Sequence, residues 1–300
     1  MSPHTRFSQP SDFSHMKHLA FFKFAALASA LGFAAAPRAA AQTVWLAEPG
    51  SLTVTPIYTA QSFDEFYVGT TKMTLPDDIT QRTTALRLDY GLAPRLALDA
   101  SIGYTQVKFS PPGASFKRSG RDDARLGLSY ALLTESAGRP ALTWRTGLIL
   151  NGGYDVPNTL PPINPGDGAS GFESSLAIGK ALGEGFVAYG EIGYRNRNHR
   201  VPDDIFYSVG AGKQFGAFGV NLGYRRTQGL SGGDIGGPGF GTRVGFPQVK
   251  EVTQFIEGGL SFTDAGGRSY QLTGARCVGD LRNTGRAKVL SLSVSLPFKL

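Results

Sequence analysis

Between residues 51 and 300, apolar residues occupy every second position of successive segments, and turns separate these segments. This period of two predicts β-strands with one apolar and one polar face, because side chains alternate across a strand. We predict twelve strands, approximately at 51–62, 80–92, 95–109, 121–133, 140–154, 171–182, 185–197, 204–215, 217–229, 250–263, 268–279 and 286–300.

The predicted connections alternate between short and long. Those at 91–95, 134–140, 183–185, 216 and 264–268 are short, whereas those at 63–79, 110–120, 155–170, 198–203, 230–249 and 280–285 are mostly longer. This rhythm is typical of outer-membrane proteins, which have short periplasmic turns and long extracellular loops. The fold class predicted is therefore all-β, a closed antiparallel transmembrane β-barrel of about twelve strands. A soluble β-sandwich is the alternative, but it rarely needs strands this long.

Aromatic residues on the apolar face lie near the predicted strand ends, as in the two aromatic girdles of membrane barrels. The predicted periplasmic girdle contains Tyr90, Tyr130, Trp144, Phe215, Phe262 and Phe298, and the outer girdle contains Tyr58, Tyr104, Tyr154, Tyr194 and Tyr224. Two residues fit less well. Pro56 lies inside a strand without a free edge, which predicts a β-bulge. Arg276 has lipid-facing parity, which predicts a position in the headgroup zone.

The first 41 residues have the plan of a secretory signal. Basic residues after Met16 precede an apolar run from Phe24 to Ala36, and small residues surround Ala41. We predict cleavage after Ala41, a barrel domain at 42–300, and Met16 as an alternative start. An N-terminal membrane anchor is disfavoured because the apolar run is shorter than the roughly 20 residues that a spanning helix needs.

Charge and cysteine content narrow the function classes. Loss of residues 1–41 removes four basic residues and one acidic residue, which lowers the formal charge from +7 to +4. Because several remaining basic residues have inward parity, a polar barrel lining accounts for this charge better than a nucleic-acid partner. Cys277 is the only cysteine, so no intramolecular disulfide is possible. The sequence implies no cofactor and no metal.

Charged residues with inward parity are the main candidates for function. They form either a salt-bridged interior that keeps a narrow barrel hydrated and rigid, or a charged conduction path, and the two interpretations are compatible. Twelve strands predict a narrow lumen, between the filled interior of eight strands and the wide channel of sixteen. The set comprises Arg87, Asp89, Asp99, Asp123, Arg125, Arg145, Glu173, Glu191, Arg195, Arg197, Arg225 and Glu257.

The glycine-rich loop at 230–249 is interpreted either as an external loop or as an inward-folded plug or solute gate, with Phe240 and Phe246 as the gate candidates. It lacks the context of a phosphate-binding loop. His199 is the only histidine after residue 41, and no serine stands at a dyad spacing, so we do not predict an enzyme. Asp77–Asp78 and Asp203–Asp204 are interpreted as turn residues or as ligands of cations that bridge lipopolysaccharide.

The chain resembles the outer-membrane transporter family of the "MetA-pathway of phenol degradation" type. The resemblance rests on short motifs at Leu88–Leu92, Arg95–Leu98, Arg121–Leu128 and Arg282–Gly285. It implies a barrel linked to the passage of hydrophobic or aromatic compounds. The C-terminus departs from the usual pattern, because it ends in Phe298-Lys299-Leu300 rather than in an aromatic residue.

We therefore predict a bacterial outer-membrane channel or transporter that passively conducts small solutes, including hydrophobic or aromatic ones. The alternatives are a structural or adhesion barrel with a closed lumen and, less favoured, a lipid-modifying enzyme. The expected partners are outer-membrane lipids, lipopolysaccharide and the barrel assembly machinery. The sequence specifies neither the substrate nor the direction of transport.

Overall fold

A computed structural model describes residues 44–154 and 163–300. The predicted signal segment, its cleavage site and the alternative start at Met16 lie outside the described residues. Within the described ranges, no helix is long and apolar enough to cross a membrane. The described chain is almost entirely β-strand, with one short 3₁₀-helix at Phe246–Gln248.

Thirteen strands follow one another along the chain. They are β1 (Ser51–Val68), β2 (Thr71–Ala93), β3 (Leu96–Phe109), β4 (Phe116–Arg121), β5 (Ala124–Leu133), β6 (Ala141–Leu150), β7 (Gly171–Gly183), β8 (Phe186–Arg197), β9 (Asp204–Phe215), β10 (Phe218–Gly229), β11 (Val252–Thr263), β12 (Ser269–Cys277) and β13 (Lys288–Lys299).

The strands form one closed antiparallel barrel. β1 pairs with both β2 and β13, β3 pairs with β2, β4 and β5, and from β5 to β13 each strand pairs with the next. β3 pairs with β4 along its second half, from residue 104 to 109, and with β5 along its first half, from residue 96 to 101. β4 and β5 are therefore two parts of one barrel strand. The thirteen segments therefore build a barrel of twelve strands, which confirms the predicted fold class. Closure satisfies the backbone groups that lipid cannot satisfy.

The predicted long loop at 63–79 is wrong. β1 and β2 continue as a ladder up to Val68 and Thr71 and are joined by a tight turn at Gly69, which has a φ of 56°. Three polar residues, Asp64, Asp77 and Asp78, lie at an irregularity of this ladder. Between the pairs Phe63–Ile79 and Glu65–Thr74, one residue of β1 faces four residues of β2, and the three extra residues shift the parity of β2 relative to β1.

Three smaller predictions also need correction. Pro56 has no bulge, since the register to β13 is the same on both sides of it and only the pairing at residues 55 and 56 is missing. The fourth predicted strand is interrupted at Asp122–Asp123, and part of the loop at 110–120 belongs to β4. Tyr154 lies beyond the end of β6 and is not in the outer girdle, because its hydroxyl donates to Asp123 at 3.0 Å.

The outer wall of the barrel is apolar. Leu126 and Leu148 are about half exposed, and most aromatic residues predicted for the girdles, including Trp144 and Tyr104, are also exposed there. Both ends of the described barrel share one rim with the turns that follow β2, β5, β7, β9 and β11, and by the outer-membrane rule this is the periplasmic rim. The tight β1–β2 turn lies at the opposite rim, with the long loops. The inner face is therefore the candidate site, because it is where the buried polar and charged residues lie.

Candidate functional site

The barrel lumen contains the charged residues that parity placed there. Arg145, Glu173 and Glu257 are buried, while Arg87, Asp99, Arg125, Glu191, Arg195 and Arg225 are partly buried. Most of these side chains find a partner of opposite charge on a neighbouring strand. The structure therefore shows salt bridging along the inner wall.

Glu173 on β7 is the centre of a lumen ion-pair network. Its carboxylate lies 2.7 Å from Arg125, 3.3 Å from Arg195 and 3.9 Å from Arg145. Arg145 in turn binds Asp99 at 2.5 Å. Because these groups are largely desolvated, loss of one partner leaves an uncompensated charge, which is far more costly than the intact pair is stabilising.

The network continues toward the extracellular rim through Asp204, which was not predicted as a lumen group. Asp204 lies 3.5 Å from Arg195 and 2.9 Å from Arg197, and Arg197 also binds Asp167. The lumen ion-pair network thus comprises Asp99, Arg125, Arg145, Glu173, Arg195, Arg197, Asp204 and Asp167. Sequence reasoning treated Asp204 as a turn residue, although its position opposite Arg195 in the β8–β9 ladder would have placed it inside.

One glycine makes the crossing of strands possible. Asp99 on β3 reaches Arg145 on β6 by lying over β5 at Gly127. A Cβ atom at Gly127 would stand 2.4 Å from Asp99 Oδ1, so a side chain there would displace the Asp99 carboxylate from Arg145. Gly127 therefore supports the geometry of the network rather than backbone flexibility.

The remaining candidates form separate, smaller contacts. Arg87 binds Asp89 at 2.6 Å on the same strand, and Arg225 binds Glu257 at 3.1 Å while stacking over Phe255 at 4.0 Å. Glu191 accepts a hydrogen bond from the Ser175 hydroxyl at 2.7 Å.

The opposite inner wall is neutral and rich in hydroxyl groups. Thr59 Oγ1 lies 2.9 Å from Ser291 Oγ, and Thr55 Oγ1 lies 3.1 Å from Ser295 Oγ. These residues belong to β1 and β13, where inward positions are mostly serine and threonine. The lumen therefore has one wall of paired charges and one wall of uncharged donors and acceptors.

The extracellular end of the lumen is filled by apolar side chains that we call the outer apolar cluster. It includes Phe63, Phe66 and Ile79 from the β1–β2 hairpin, Val107 and Phe255 from the wall, and Ile235 and Val249 from the loop at 230–249. Phe66 is fully buried. Residues from loop and wall thus meet in one core, because inward positions on β1, β2, β3 and β11 to β13 change from polar to apolar near the extracellular strand ends.

Both gate candidates belong to the loop that packs on this cluster. Phe240 and Phe246 face each other edge to face, with ring centroids 4.9 Å apart. Phe246 is buried at the start of the 3₁₀-helix, and Phe240 is partly buried against the outer apolar cluster. The loop is anchored by Arg282, which binds Asp234 at 2.5 Å and lowers the pKa of that carboxyl through their hydrogen bond.

A second carboxyl at this end is largely removed from solvent. Glu251 precedes β11 and lines a small cavity with Asp167, Arg197 and Asp204. Burial raises the pKa of Glu251 to about 8, and the nearby carboxylates of Asp167 and Asp204 add to the rise. The raised pKa favours the protonated form of Glu251 near neutral pH, because three acidic side chains share the single guanidinium of Arg197.

The described chain begins inside the periplasmic mouth. Val44 packs on Ala141 and Ala177 of the inner wall, and its carbonyl accepts a hydrogen bond from the Thr143 hydroxyl at 2.7 Å. The Trp45 indole donates to Glu135 at 2.7 Å, and this bond together with that from the Ala181 amide lowers the pKa of Glu135. A cavity of about 180 Å³ separates this segment from Arg87, Asp89, Asp99 and Arg145. Sequence reasoning missed this contact.

His199 lies at the extracellular rim with a left-handed φ of 56°, and its Nδ1 is 3.2 Å from the Gly168 carbonyl oxygen. Among the described residues no serine or carboxylate is hydrogen-bonded to its ring. Asp203 accepts hydrogen bonds from Tyr194 and Asn196, as expected of a turn residue. Asp77 and Asp78 are exposed on β2, and the described residues contain no group of three potential metal ligands.

No protein-family model matches the chain, and a search of curated proteins finds no match. Among solved structures, an outer membrane channel from Pseudomonas putida F1 is similar, with a TM-score of 0.67 at 16% identity over 86% of this chain and 98% of that one. The KdgM porin reaches a TM-score of 0.47 at 8% identity, covering 81% of this chain and 99% of that one. The translocator domain of the autotransporter NalP from Neisseria meningitidis also reaches 0.47, at 9% identity, covering 87% of this chain and 92% of that one. At 16% identity, the similarity to the Pseudomonas putida channel supports the barrel fold alone. The two structures with a TM-score of 0.47 add no further support.

Proposed function

We propose that this chain is a bacterial outer-membrane channel through which small solutes, including hydrophobic and aromatic ones, pass passively. In this proposal a signal peptide ending at Ala41 directs export, and the barrel assembly machinery inserts residues 42–300. The resemblance to transporters of the phenol-degradation type supports the solute class, and the shared fold with a solved outer membrane channel is consistent with it.

One observation carries the proposal. The inner face offers two surfaces in sequence along the axis, the outer apolar cluster at the extracellular end and the lumen ion-pair network behind it. An apolar solute gains free energy on contact with the first surface, at about 25 cal/mol per Å² of apolar area removed from water. The paired charges behind it are neutralised locally, so they offer hydration without a strong net field.

A filled extracellular end also favours a second candidate, a structural barrel with a closed lumen. Phe66 and Ile235 are almost completely buried, so passage requires that the outer apolar cluster or the loop at 230–249 move. The two candidates differ in one respect only, which is whether that movement occurs in the folded barrel.

Single-channel recording separates them. Residues 42–300 would be refolded into planar bilayers and recorded with and without phenol and benzoate. Discrete conductance steps that these solutes block are expected of the channel. A folded barrel without steps, checked by its heat-modifiable migration in gels, would contradict the proposal and favour the closed barrel.

A further inference from the structure

A row of side chains crosses the outside of the barrel on six consecutive strands, with basic residues on β12, β13, β3 and β4 and hydroxyl residues on β1 and β2 between them. The ladder registers place Arg276 beside Lys288, Lys288 beside Ser62, Ser62 beside Thr80, Thr80 beside Lys108, and Lys108 beside Lys117. Arg82 lies on the same wall, two residues closer to the bilayer than Thr80. The row is independent of the lumen, because its four basic side chains and Arg82 are exposed on the outer face.

The height of this row on the wall is set by an aromatic row below it. Tyr58 and Tyr104 occupy one ladder level, separated only by Thr84. On β1, β2 and β3 the basic row lies four residues farther along the strands, which is about 13 Å along the strand axis at roughly 3.3 Å per residue. The height along the membrane normal is smaller, because barrel strands are tilted by roughly 35–45°. Tyrosines mark the boundary between hydrocarbon and headgroups, so the basic row stands at the level of the outer-leaflet headgroups.

A depression of about 320 Å³ lies within the row. Small side chains, Ala60 and Ser62, form its floor, and Arg82 and Lys288 stand at its sides. The hydroxyl groups of Ser62 and Thr80 add neutral donors to the two cations. Cationic donors beside hydroxyl donors are the chemistry that binds a phosphate group.

The cations in and around this depression are uncommitted. Within residues 44–154 and 163–300, none of Arg82, Lys108, Lys117, Arg276 and Lys288 forms an intramolecular salt bridge. The outward carboxylates nearest to them, Asp64 and Asp78, lie about two residues farther out on β1 and β2. On the opposite wall the outward groups near this height include Asn196, Gln228 and Asp203, together with one cation, Arg226, whose guanidinium donates to Gln228 at 3.0 Å. The basic row therefore concentrates outward cations on one side of the barrel.

We propose that the depression between Arg82 and Lys288 binds a phosphate of the lipopolysaccharide headgroup, with Arg276, Lys108 and Lys117 contacting its neighbouring anionic groups. The occupant is lipopolysaccharide rather than a phospholipid, because the site faces the outer leaflet and spans six strands, more than a single small headgroup covers. The inference rests on the proposed outer-membrane location but not on solute conduction.

The test is a titration of the refolded barrel in detergent with diphosphorylated lipid A. Removal of two surface cations in the double variant Arg82→Gln, Lys288→Gln should raise the dissociation constant about 30-fold, since each basic residue near a membrane surface contributes about fivefold. The double variant Lys213→Gln, Arg268→Gln is the matched control, because it removes the same charge near the periplasmic rim. The charge-retaining variant Arg82→Lys, Lys288→Arg should bind within a few-fold of the wild type.

Three results would overturn the inference: equal losses in the two Gln variants, unchanged binding of dephosphorylated lipid A, or equal competition by phosphatidylglycerol. All variants would first be shown to migrate as folded barrels. Loss of lipid A binding with normal conductance leaves the proposed channel intact, whereas normal binding in a barrel without conductance leaves this site intact, so the two failures are distinguishable.

Discussion

Two regions of the inner wall, the middle of the lumen and its extracellular end, differ in chemistry although both are built from the same β-ladder. In the middle of the lumen, Arg145 and Glu173 are buried among partners of opposite charge. At the extracellular end, Phe66 and Val107 are buried among apolar groups. The lumen ion-pair network depends on electrostatic pairing, so the loss of any one of its charges is costly. The outer apolar cluster depends on packing, so truncation of one aromatic ring is enough to loosen it. This difference fits the proposed channel, in which a hydrated middle is closed at the extracellular end by an apolar seal that can move.

The largest effect is expected from Phe66→Ala. Truncation of a fully buried phenylalanine should lower the free energy of unfolding by about 3–5 kcal/mol, through lost transfer energy and the cavity left behind. It should also increase the conductance, because the seal at the extracellular end is thinned. Urea unfolding and single-channel recording check the two parts, with Phe66→Leu as the milder control. Reduced stability without any gain in conductance would separate the outer apolar cluster from gating.

A comparable but smaller effect is expected in the middle of the lumen from Glu173→Gln. This change leaves Arg125, Arg145 and Arg195 without their shared carboxylate, so we expect a loss of about 3 kcal/mol. The same substitution at Glu191, which accepts a single hydrogen bond from Ser175, is the matched control and should cost less than about 1 kcal/mol. Equal losses in the two variants would mean that the lumen ion-pair network is not a unit.

The pH dependence of stability should report the extracellular end. Because the folded pKa of Glu251 is raised to about 8 from an ordinary 4.5, the folded barrel holds this proton more tightly than the unfolded chain does. The contribution is complete below pH 4.5 and is lost as the pH rises through about 8. The melting temperature should therefore be higher at pH 5 than at pH 9, and Glu251→Gln should reduce this difference. A wild-type profile that is flat over this window would contradict the burial of an uncompensated acid.

The smallest effect is on selectivity. Glu191→Gln removes one negative charge from the lumen without breaking an ion pair, so the stability should change little while the cation preference falls. Reversal potentials in a salt gradient measure this directly. An unchanged reversal potential would remove Glu191 from the conduction path, although its inward position would stand.

Much of the fold could be predicted from the sequence because side-chain parity is a local property. The alternation of Leu290, Leu292 and Val294 with serines was enough to place the last strand, and the same reasoning placed Arg145 and Glu173 inside. Prediction from side-chain parity failed where a register shift or a break in a strand interrupts the alternation of side chains. The register shift between Phe63 and Glu65 hid the β1–β2 hairpin, and the break at Asp122–Asp123 hid β4.

The partners within the site could not be predicted, because they depend on distances across strands. Asp99 meets Arg145 only because Gly127 leaves room above β5. Val44 and Trp45 lie in the periplasmic mouth, although nothing in their local pattern indicates a contact with Thr143 or Glu135. The outer apolar cluster was equally hidden, since it joins Ile235 of a glycine-rich loop to inward positions of six strands.

The most direct test of the account compares thiol reactivity in the two regions of the lumen. Native Cys277 belongs to the outer apolar cluster, and Thr53 lines the cavity beside Arg87 and Asp89. A membrane-impermeant thiol reagent would be applied to wild-type barrels and to a Thr53→Cys variant in a Cys277→Ala background. The account predicts rapid modification at position 53 and almost none at Cys277 until the barrel is unfolded or Phe66 is replaced by alanine. Fast modification of Cys277 in the intact barrel, or an inert thiol at position 53, would contradict a hydrated middle closed by an apolar end.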